Sequence, residues 1–329
     1  MSTVVAGEEI EPEQLEHYRR ELTGYCYRML GSIHEAEDAV QDTFVRAWRG
    51  LDRFEDRVGL RPWLYRIATN VCLDMLKGRN RRALPMALVP AATGEPKLGT
   101  PRSSETWVEP APDALVMPIE RDPGELAVAR ESVRLAFVAA LQHLVPRQRA
   151  VLILRDVLRW KAAEVAELLE TSADAVNSTL RRARATLAAA NRAPSPPPST
   201  GGTGTDQELL TRYVEAFERF DIDALVALLR EDVTLAMPPF ELWLQGRDDI
   251  RRWLLAGADC RHDRFVPVSA NGTPAVAIYQ PTVSGGPLRP FAIHLLEVSG
   301  DRIVAIHAFL DPGLFEVFGL PTDPDTLAD

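Results

Sequence analysis

The sequence lacks the features that mark secreted and membrane proteins. It has only 3 cysteines, Cys26, Cys72 and Cys260, which lie far apart and in no metal-ligand spacing. We therefore expect buried free thiols in a reducing compartment, and no metal site. No apolar run approaches the ~20 residues of a membrane span, and the acidic N-terminus is unlike a signal peptide. These absences predict a cytoplasmic protein that has no membrane partner.

An excess of positive charge is also lacking. The formal net charge is −10, which taken alone argues against binding to nucleic acid. Its distribution is uneven, because residues 1–205 hold 27 basic and 27 acidic side chains, whereas residues 206–329 hold 10 and 20. Residues 61–82 carry six basic side chains against one acidic, and residues 126–192 carry eleven against six. Two basic regions and a separate acidic one fit a phosphate-binding protein with an added module.

The stretch EAEDAVQDTFVRAW, residues 35–48, has the pattern of an amphipathic helix. Residues at three- and four-residue spacing predict one buried face, made of Ala36, Val40, Thr43, Phe44, Ala47 and Trp48. The exposed face includes Asp38, Gln41, Asp42 and Arg46. This periodicity alone indicates no more than an ordinary surface helix.

A second block, RPWLYRIATNVCLDMLKGRNRR, occupies residues 61–82. In order and spacing, the two blocks resemble the polymerase-binding helix and the promoter-melting segment of the extracytoplasmic-function (ECF) bacterial sigma factors. The resemblance implies that Asp38, Gln41, Asp42 and Arg46 bind core RNA polymerase. It also implies that the separated strand of the promoter −10 element contacts Arg53, Phe54, Arg61, Trp63 and Asn70. For Phe54 and Trp63 the alternative is packing in the core, which for Trp63 is an equally good interpretation. Arg79, Arg81 and Arg82 are clustered without a compensating acid, which favours contact with phosphate of the −10 element over a solvated helix end.

Residues 83–124 are rich in Pro, Ala, Gly and Thr and predict a linker. Within it, Trp107-Val-Glu-Pro-Ala-Pro-Asp113 resembles a motif of ECF groups that bear a C-terminal extension. Such a segment either runs through polymerase near the RNA exit path or forms an anchored turn with Trp107 packed on a domain. We favour the anchored turn.

Residues 125–192 predict a second helical domain that ends in a helix-turn-helix, with helices over Ala162–Leu169 and Ser172–Ala189. In the second helix, the predicted buried stripe consists of Val176, Leu180, Ala183 and Leu187. Ser178, Arg181 and Arg182 lie opposite this stripe, where a recognition helix contacts DNA. The resemblance implies that they read the promoter −35 element. The turn lacks the usual glycine, although Thr171 or Ser172 can cap the next helix. A plain helical hairpin is the alternative.

A Pro- and Gly-rich segment, residues 193–205, predicts a flexible linker before residues 206–320. The latter read as helices, one of them over Leu225–Arg230, followed by the strands of an antiparallel sheet over Arg264–Ala270, Ala275–Thr282 and Pro290–Leu310, which is an α+β pattern. Their order resembles the SnoaL-like branch of the nuclear-transport-factor-like fold, a cone of sheet around a pocket. The predicted fold is thus multidomain: two all-α sigma domains, over residues 13–82 and 125–192, followed by an α+β SnoaL-like cone.

Five residues are candidates for the wall of the pocket: Met237, Trp243, Tyr279, His294 and His307. A two-residue turn at Gly300-Asp301 would place His294 directly opposite His307. If the domain were an enzyme, Asp263 or Asp311 would serve as the base and Tyr279 or a histidine as the donor. The fold class does not decide between catalysis and ligand binding.

We interpret the chain as an ECF-type sigma factor that directs RNA polymerase to specific promoters. The C-terminal domain would regulate it without catalytic residues or cofactors, and a small molecule is a candidate ligand there. The alternatives are a catalytically active isomerase or cyclase domain, and a helix-turn-helix repressor that never binds polymerase. Opposite charges predict that the acidic domain covers part of the 61–82 or 178–184 surface, although bracing of the sigma domains stays open. The sequence is silent about a separate anti-sigma factor.

Overall fold

The computed structural model describes residues 12–51, 54, 59–118, 123–190, 203–257, 262–283 and 285–326. Arg53, Cys260 and most of the predicted 193–205 linker lie outside these ranges. Cys26 and Cys72 are buried free thiols, as expected. Within the described ranges, no helix combines the length and apolarity needed to cross a bilayer.

The described residues of the first helical domain form four α-helices: α1 Pro12–Glu16, α2 Arg19–Leu30, α3 Ile33–Gly50 and α4 Leu60–Met75. Gly31 ends α2 in the left-handed conformation, with φ +73°. Ser32 then caps α3, because its hydroxyl accepts a hydrogen bond from the amide of Glu35. This Gly-Ser pair therefore makes the sharp turn that lets α3 pack back on α2.

The predicted linker after α4 follows an ordered path. Ala83 pairs with Trp107 in an isolated bridge, and the short helix α5, Asp113–Val116, follows. Trp107 is buried. The motif around Trp107 therefore forms an anchored turn in this structure, which is the interpretation that we favoured.

Over residues 123–190, which the structure describes, the second helical domain contains five α-helices and one π-helical turn. The α-helices are α6 Pro123–Val133, α7 Leu135–Leu141, α8 Pro146–Leu152, α9 Ala162–Leu168 and α10 Ala173–Ala190, and the π turn spans Ile153–Val157. Between α9 and α10, Glu170 occupies the glycine position with φ +51°. The Ser172 hydroxyl accepts from the amide of Ala175 at 3.1 Å and caps α10. The turn thus forms without glycine.

In its described part, the C-terminal domain has three α-helices against a six-stranded sheet and a short final α-helix. The helices are α11 Thr203–Glu218, α12 Ile222–Leu228, α13 Arg247–Ala256 and α14 Leu314–Val317. The strands are β1 Leu229–Ala236, β2 Trp243–Gln245, β3 Arg264–Ala270, β4 Thr273–Pro281, β5 Leu288–Ser299 and β6 Arg302–Phe309. Their order is β2-β1-β6-β5-β4-β3, and only β1 and β6 run parallel among the described strands. The helix predicted over Leu225–Arg230 begins and ends earlier, at Ile222 and Leu228, because β1 already begins at Leu229.

The two faces of this sheet pack against different partners. The inner face forms a separate apolar core with α11, α12 and α13. The outer face belongs to the same continuous core as the two helical domains, and contributes Ala275, Ala277, Tyr279, Ile293, Leu295 and Phe309 to it. The C-terminal domain is therefore docked on the helical domains through an apolar sheet face.

Candidate functional site

The exposed face of α3 carries the residues predicted to bind polymerase. Asp38, Gln41, Asp42 and Arg46 are all exposed, and the Arg46 guanidinium lies 3.4 Å from the Asp74 carboxylate. Trp48 is also on this face and is 54% exposed, so the prediction that it is buried was wrong. Ala47 takes the core position, and one residue further along a helix points about 100° away. The face therefore combines acidic and apolar groups.

The anchored turn reaches the start of α3 through Glu109. Its carboxylate accepts from the Ser32 hydroxyl at 2.7 Å, from the Ile33 amide at 3.1 Å and lies 3.0 Å from His34 Nδ1. Burial would raise the pKa of Glu109, but the hydrogen bonds from His34 and Ser32 and the charge of Arg82 keep it below its ordinary value. A carboxylate at a helix N-terminus is stabilised by the helix dipole. The linker thus helps to position the helix that carries the polymerase face.

The second helical domain lies against the predicted −10 surface. The Arg61 guanidinium pairs with Glu21 and lies over the rings of Tyr65 and Trp160, 5.5 and 5.4 Å from their centroids. Arg66 pairs with Glu170, in the turn of the helix-turn-helix. Trp63 is half-buried at a cleft of about 410 Å³ between the two domains, with the ring of Phe54 at 5.0 Å. Arg61 and Arg66 therefore each have an acidic partner within the protein.

The basic cluster after α4 divides into a structural and an exposed part. Arg82 is buried and donates to the carbonyls of Ser104 and Trp107, each at 2.7 Å. It also pairs with Glu35 at 2.9 Å, so it is not available to a phosphate in this arrangement. Arg79 pairs with Glu35 as well but stays at the surface, together with Arg81 and Asn70.

The recognition helix α10 presents its polar side to solvent. The buried stripe is the predicted one, formed by Val176, Leu180, Ala183 and Leu187. Arg181 and Arg182 are exposed, and Ser178 is half-exposed. The C-terminal domain therefore does not cover these two arginines. Charge alone had predicted that it covers part of the 61–82 or of the 178–184 surface, and the second of these is open at Arg181 and Arg182.

One residue of the C-terminal domain contacts both helical domains and the linker between them. Asn271, at the β3–β4 turn, is fully buried and has φ +54°. Its Nδ2 donates to the Tyr27 hydroxyl at 2.7 Å and to the Val133 carbonyl at 2.6 Å. Its Oδ1 accepts from the Ala111 amide at 2.8 Å, and its own amide donates to the Ala111 carbonyl at 3.0 Å. We call Asn271 with Tyr27, Ala111 and Val133 the junction.

Asp113 lies beside the junction, in surroundings that disfavour its carboxylate form. Its Oδ1 accepts from the amide of Gly272 at 2.7 Å. Burial raises its pKa to about 6, although that hydrogen bond and the charge of Arg130 act in the opposite direction. A side chain at residue 272 would meet the Arg130 backbone at 3.1 Å, and φ is +67°. Glycine is therefore required for this close approach.

A cavity of about 370 Å³ lies inside the cone. Met237 and His294 line it, whereas Trp243, Tyr279 and His307 are not among its lining residues. The Trp243 indole donates to the Val89 carbonyl at 2.9 Å, and the Tyr279 hydroxyl donates to the Pro321 carbonyl at 2.8 Å. Both tryptophan and tyrosine thus serve packing between segments.

The prediction that the two histidines are opposed was wrong. The turn is as short as predicted, since Ser299 pairs with Arg302, but a bulge shifts the register between the pairs Val298–Ile303 and Glu297–Ala305. The extra residue, Val304, moves every later residue of β6 by one position, which reverses its face. His294, whose strand has no extra residue at this point, lines the cavity, where burial lowers its pKa to about 4.

His307 lies on the outer face of the sheet, with its Nε2 3.3 Å from Glu297 Oε1. Burial would raise the pKa of Glu297, but the hydrogen bond and charge of His307 and the charge of Arg134 hold it below its ordinary value. Asp311 accepts from the amide of Gly313 at 2.9 Å and is not a lining residue. Among the catalytic candidates, only Asp263 and His294 line the cavity.

Comparison with known proteins identifies each domain. Family models match residues 15–82 (Sigma-70 region 2), 134–187 (Sigma-70, region 4) and 210–306 (SnoaL-like domain). Over 310 residues the chain is 47% identical to the ECF RNA polymerase sigma factor SigG of Mycobacterium tuberculosis strain H37Rv, covering 93% of this chain and 82% of that one. It is 29% identical over 253 residues to SigJ of that strain, covering 75% and 72%.

The crystal structure of M. tuberculosis SigJ has the same fold. Its TM-score is 0.63 at 23% identity, and the match covers 94% of this chain and all of that one. Two helical sigma domains and a SnoaL-like domain thus occur in the same order, and the relative of higher identity spans nearly the whole chain. The protein therefore belongs to the ECF family of RNA polymerase sigma factors, carries a C-terminal SnoaL-like domain and has core RNA polymerase and promoter DNA as its partners.

Proposed function

We propose that this sigma factor rests in a closed arrangement in which its C-terminal domain holds the two promoter-binding domains together. The observation that carries the proposal is the junction, because the Asn271 side chain contacts the first helical domain, the linker and the second helical domain at once. The shared apolar core on the outer face of the sheet supports the same interpretation. The C-terminal domain would then regulate promoter binding by its docking.

The closed arrangement would weaken binding to the −10 element. A separated DNA strand needs cations for its backbone and aromatic surfaces for its bases. Here Arg61 and Arg66 are paired with Glu21 and Glu170, and Trp63 lies at a cleft against the second helical domain. The two domains must separate before a strand can reach these side chains, and the separation would cost the docking energy.

We assign the remaining contacts according to exposure. Core polymerase would bind the α3 face of Asp38, Gln41, Asp42 and Arg46, extended by the exposed side chains of Val45 and Trp48. Asn70, Arg79 and Arg81 would contact the −10 strand, and Ser178, Arg181 and Arg182 the −35 element. Arg82 would act structurally. The polymerase face is open in the closed arrangement, so polymerase could bind first and promote opening.

We further propose that the C-terminal domain performs no catalysis and that the protein acts in the cytoplasm, where polymerase is found. Tyr279, His307 and Asp311 are outside the cavity lining, which removes most of the groups an isomerase or cyclase would use. The His294 Nδ1 is occupied by the Tyr213 hydroxyl at 3.0 Å. These contacts favour a ligand-binding cavity over an active site.

Reversing the charge at Asp42 should weaken assembly with core polymerase by about fivefold, since an exposed acidic group in a complementary interface contributes on the order of 1 kcal/mol. The change is Asp42→Arg, measured by titrating labelled protein with core enzyme. Glu208→Arg, on exposed α11, is the matched control and should bind normally. Equal affinities of the two variants would refute the assignment of this face.

Truncation after residue 195 should strengthen promoter binding, because the closed arrangement is lost. The docking surface is mainly apolar and hydrogen-bonded, with an ion pair between Arg102 and Glu241, so we expect most of the difference between full-length and truncated protein to persist as salt rises. The measurement is binding to a promoter fragment with an open −10 region across a salt series, with core-polymerase assembly as the control for folding. Weaker binding by the truncated protein would instead identify the C-terminal domain as a brace.

A further inference from the structure

The cavity of the C-terminal domain is closed on one side by the linker between the sigma domains. We call residues 89–102 the strap. The Ala92 amide donates to the Trp243 carbonyl and the Arg102 amide to the Pro239 carbonyl, each at 2.9 Å. Between these two attachments, the half-buried side chain of Leu98 lines the cavity. The strap therefore lies across the cavity as part of its wall.

The chemistry of the lining selects a class of ligand. Most lining groups are aromatic or aliphatic, among them Phe217, Ile278 and Phe291, and no lysine or arginine occurs in the described lining. Its volume of about 370 Å³ lies within the range of small-molecule sites. An anionic ligand would find no countercharge and would have to be desolvated, whereas an apolar one would gain from burial.

The lining has polar groups at two places: Asp263 with Gln280, whose Nε2 donates to the Asp263 carboxylate at 3.5 Å, and His294 with Tyr213. His294 is buried in an environment that disfavours its charged form, and the Tyr213 hydroxyl is 3.0 Å from its Nδ1. When this hydroxyl donates to Nδ1, the neutral ring carries its proton on Nε2 and can donate to an oxygen. A ligand with one hydroxyl or carbonyl group on an apolar body would match this arrangement.

We propose that the cavity binds a neutral, mainly apolar small molecule through His294 and Tyr213, and that the strap is its lid. The strap continues directly into the turn that holds Arg82 by the carbonyls of Ser104 and Trp107. A bound molecule that touches Leu98 would therefore stabilise or displace a segment attached to the end of the −10 region. This coupling rests on the closed arrangement proposed above, whereas the binding itself does not.

Calorimetric titration of full-length protein with naphthalene and 2-naphthol tests the binding, because the pair differs by one hydroxyl. We expect saturable binding at one site, with 2-naphthol about fivefold tighter, which is the effect of one hydrogen bond to a buried group. In His294→Phe that preference should vanish while naphthalene still binds. Absence of saturable binding, or an unchanged preference in this variant, would overturn the proposal.

Two further measurements test the lid. Leu98→Trp should fill the cavity and weaken 2-naphthol binding at least tenfold, whereas Val283→Trp, at a position 66% exposed on the C-terminal domain, should bind normally. Saturation with 2-naphthol should slow hydrogen exchange of the Ala92 and Arg102 amides several-fold. Equal binding by the two tryptophan variants, or unchanged exchange, would show that the strap is not a lid. Neither readout involves promoter DNA, so failure here leaves the proposed regulation to be judged by truncation.

Discussion

Replacing Asn271 with glycine is expected to shift the equilibrium between the closed and open arrangements about 100-fold towards the open one. Glycine keeps the positive φ of residue 271 without strain but removes the side-chain hydrogen bonds to Tyr27, Val133 and Ala111. A buried polar group left without a partner costs ~1–3 kcal/mol, and a loss of about 3 kcal/mol corresponds to that factor. Promoter affinity should rise by at most the same factor, since only the open fraction of the protein binds the promoter.

The measurement is promoter affinity together with hydrogen exchange of the Ala111 amide, which loses its acceptor. Thr273→Ala is the matched control, because Thr273 is buried in the same hairpin but its hydroxyl donates only to the Ala270 carbonyl among the bonds described. It should leave both quantities near the wild-type values. If Asn271→Gly and Thr273→Ala alter promoter affinity equally, the junction does not hold the closed arrangement.

Asp113→Asn is expected to stabilise the protein above pH 6. The folded-state pKa of Asp113 is raised to about 6 from 3.8, so the folded protein binds this proton more tightly than the unfolded chain. The buried carboxylate thus destabilises the fold at neutral pH, and the penalty falls as pH drops from 6 towards 3.8. A shift of about two pKa units is equivalent to ~3 kcal/mol. Asparagine keeps the acceptor for Gly272 without the charge.

Urea unfolding at several pH values provides the measurement. The midpoint of Asp113→Asn should exceed that of the wild type at pH 7.5, and the two should converge near pH 4. Asp301→Asn, at an exposed carboxylate, should change the midpoint little at any pH. A variant less stable than the wild type at pH 7.5 would show that the attraction of Arg130 for the carboxylate exceeds the cost of burial.

Local patterns were sufficient to predict most elements of the fold. The strand over Arg264–Ala270 has the predicted bounds, and α10 buries the predicted stripe. The pairing of β5 with β6 was not predictable in full, because the bulge at Val304 follows from packing on both faces of the sheet and has no signal in the turn. One extra residue was enough to separate His294 from His307.

The contacts between domains were the least accessible to prediction. The Asn271-Gly272 pair between two predicted strands indicates a tight turn, but it gives no sign that the turn enters another domain. Charge was also misleading here: the acidic domain docks through alanines, aliphatic groups and amide hydrogen bonds rather than on the basic surface of α10. Composition reports the average character of a domain, whereas docking depends on the few residues of one face.

The apolar outer face of the sheet has a thermal consequence. If the C-terminal domain separates as proposed, outer-face residues such as Ala275, Ile293 and Leu295 become hydrated, and hydration of apolar surface increases the heat capacity. The enthalpy of opening must then change with temperature, and the free energy of opening must follow a curve with a maximum. The closed arrangement is consequently most stable at an intermediate temperature, and both cooling and warming reduce its stability.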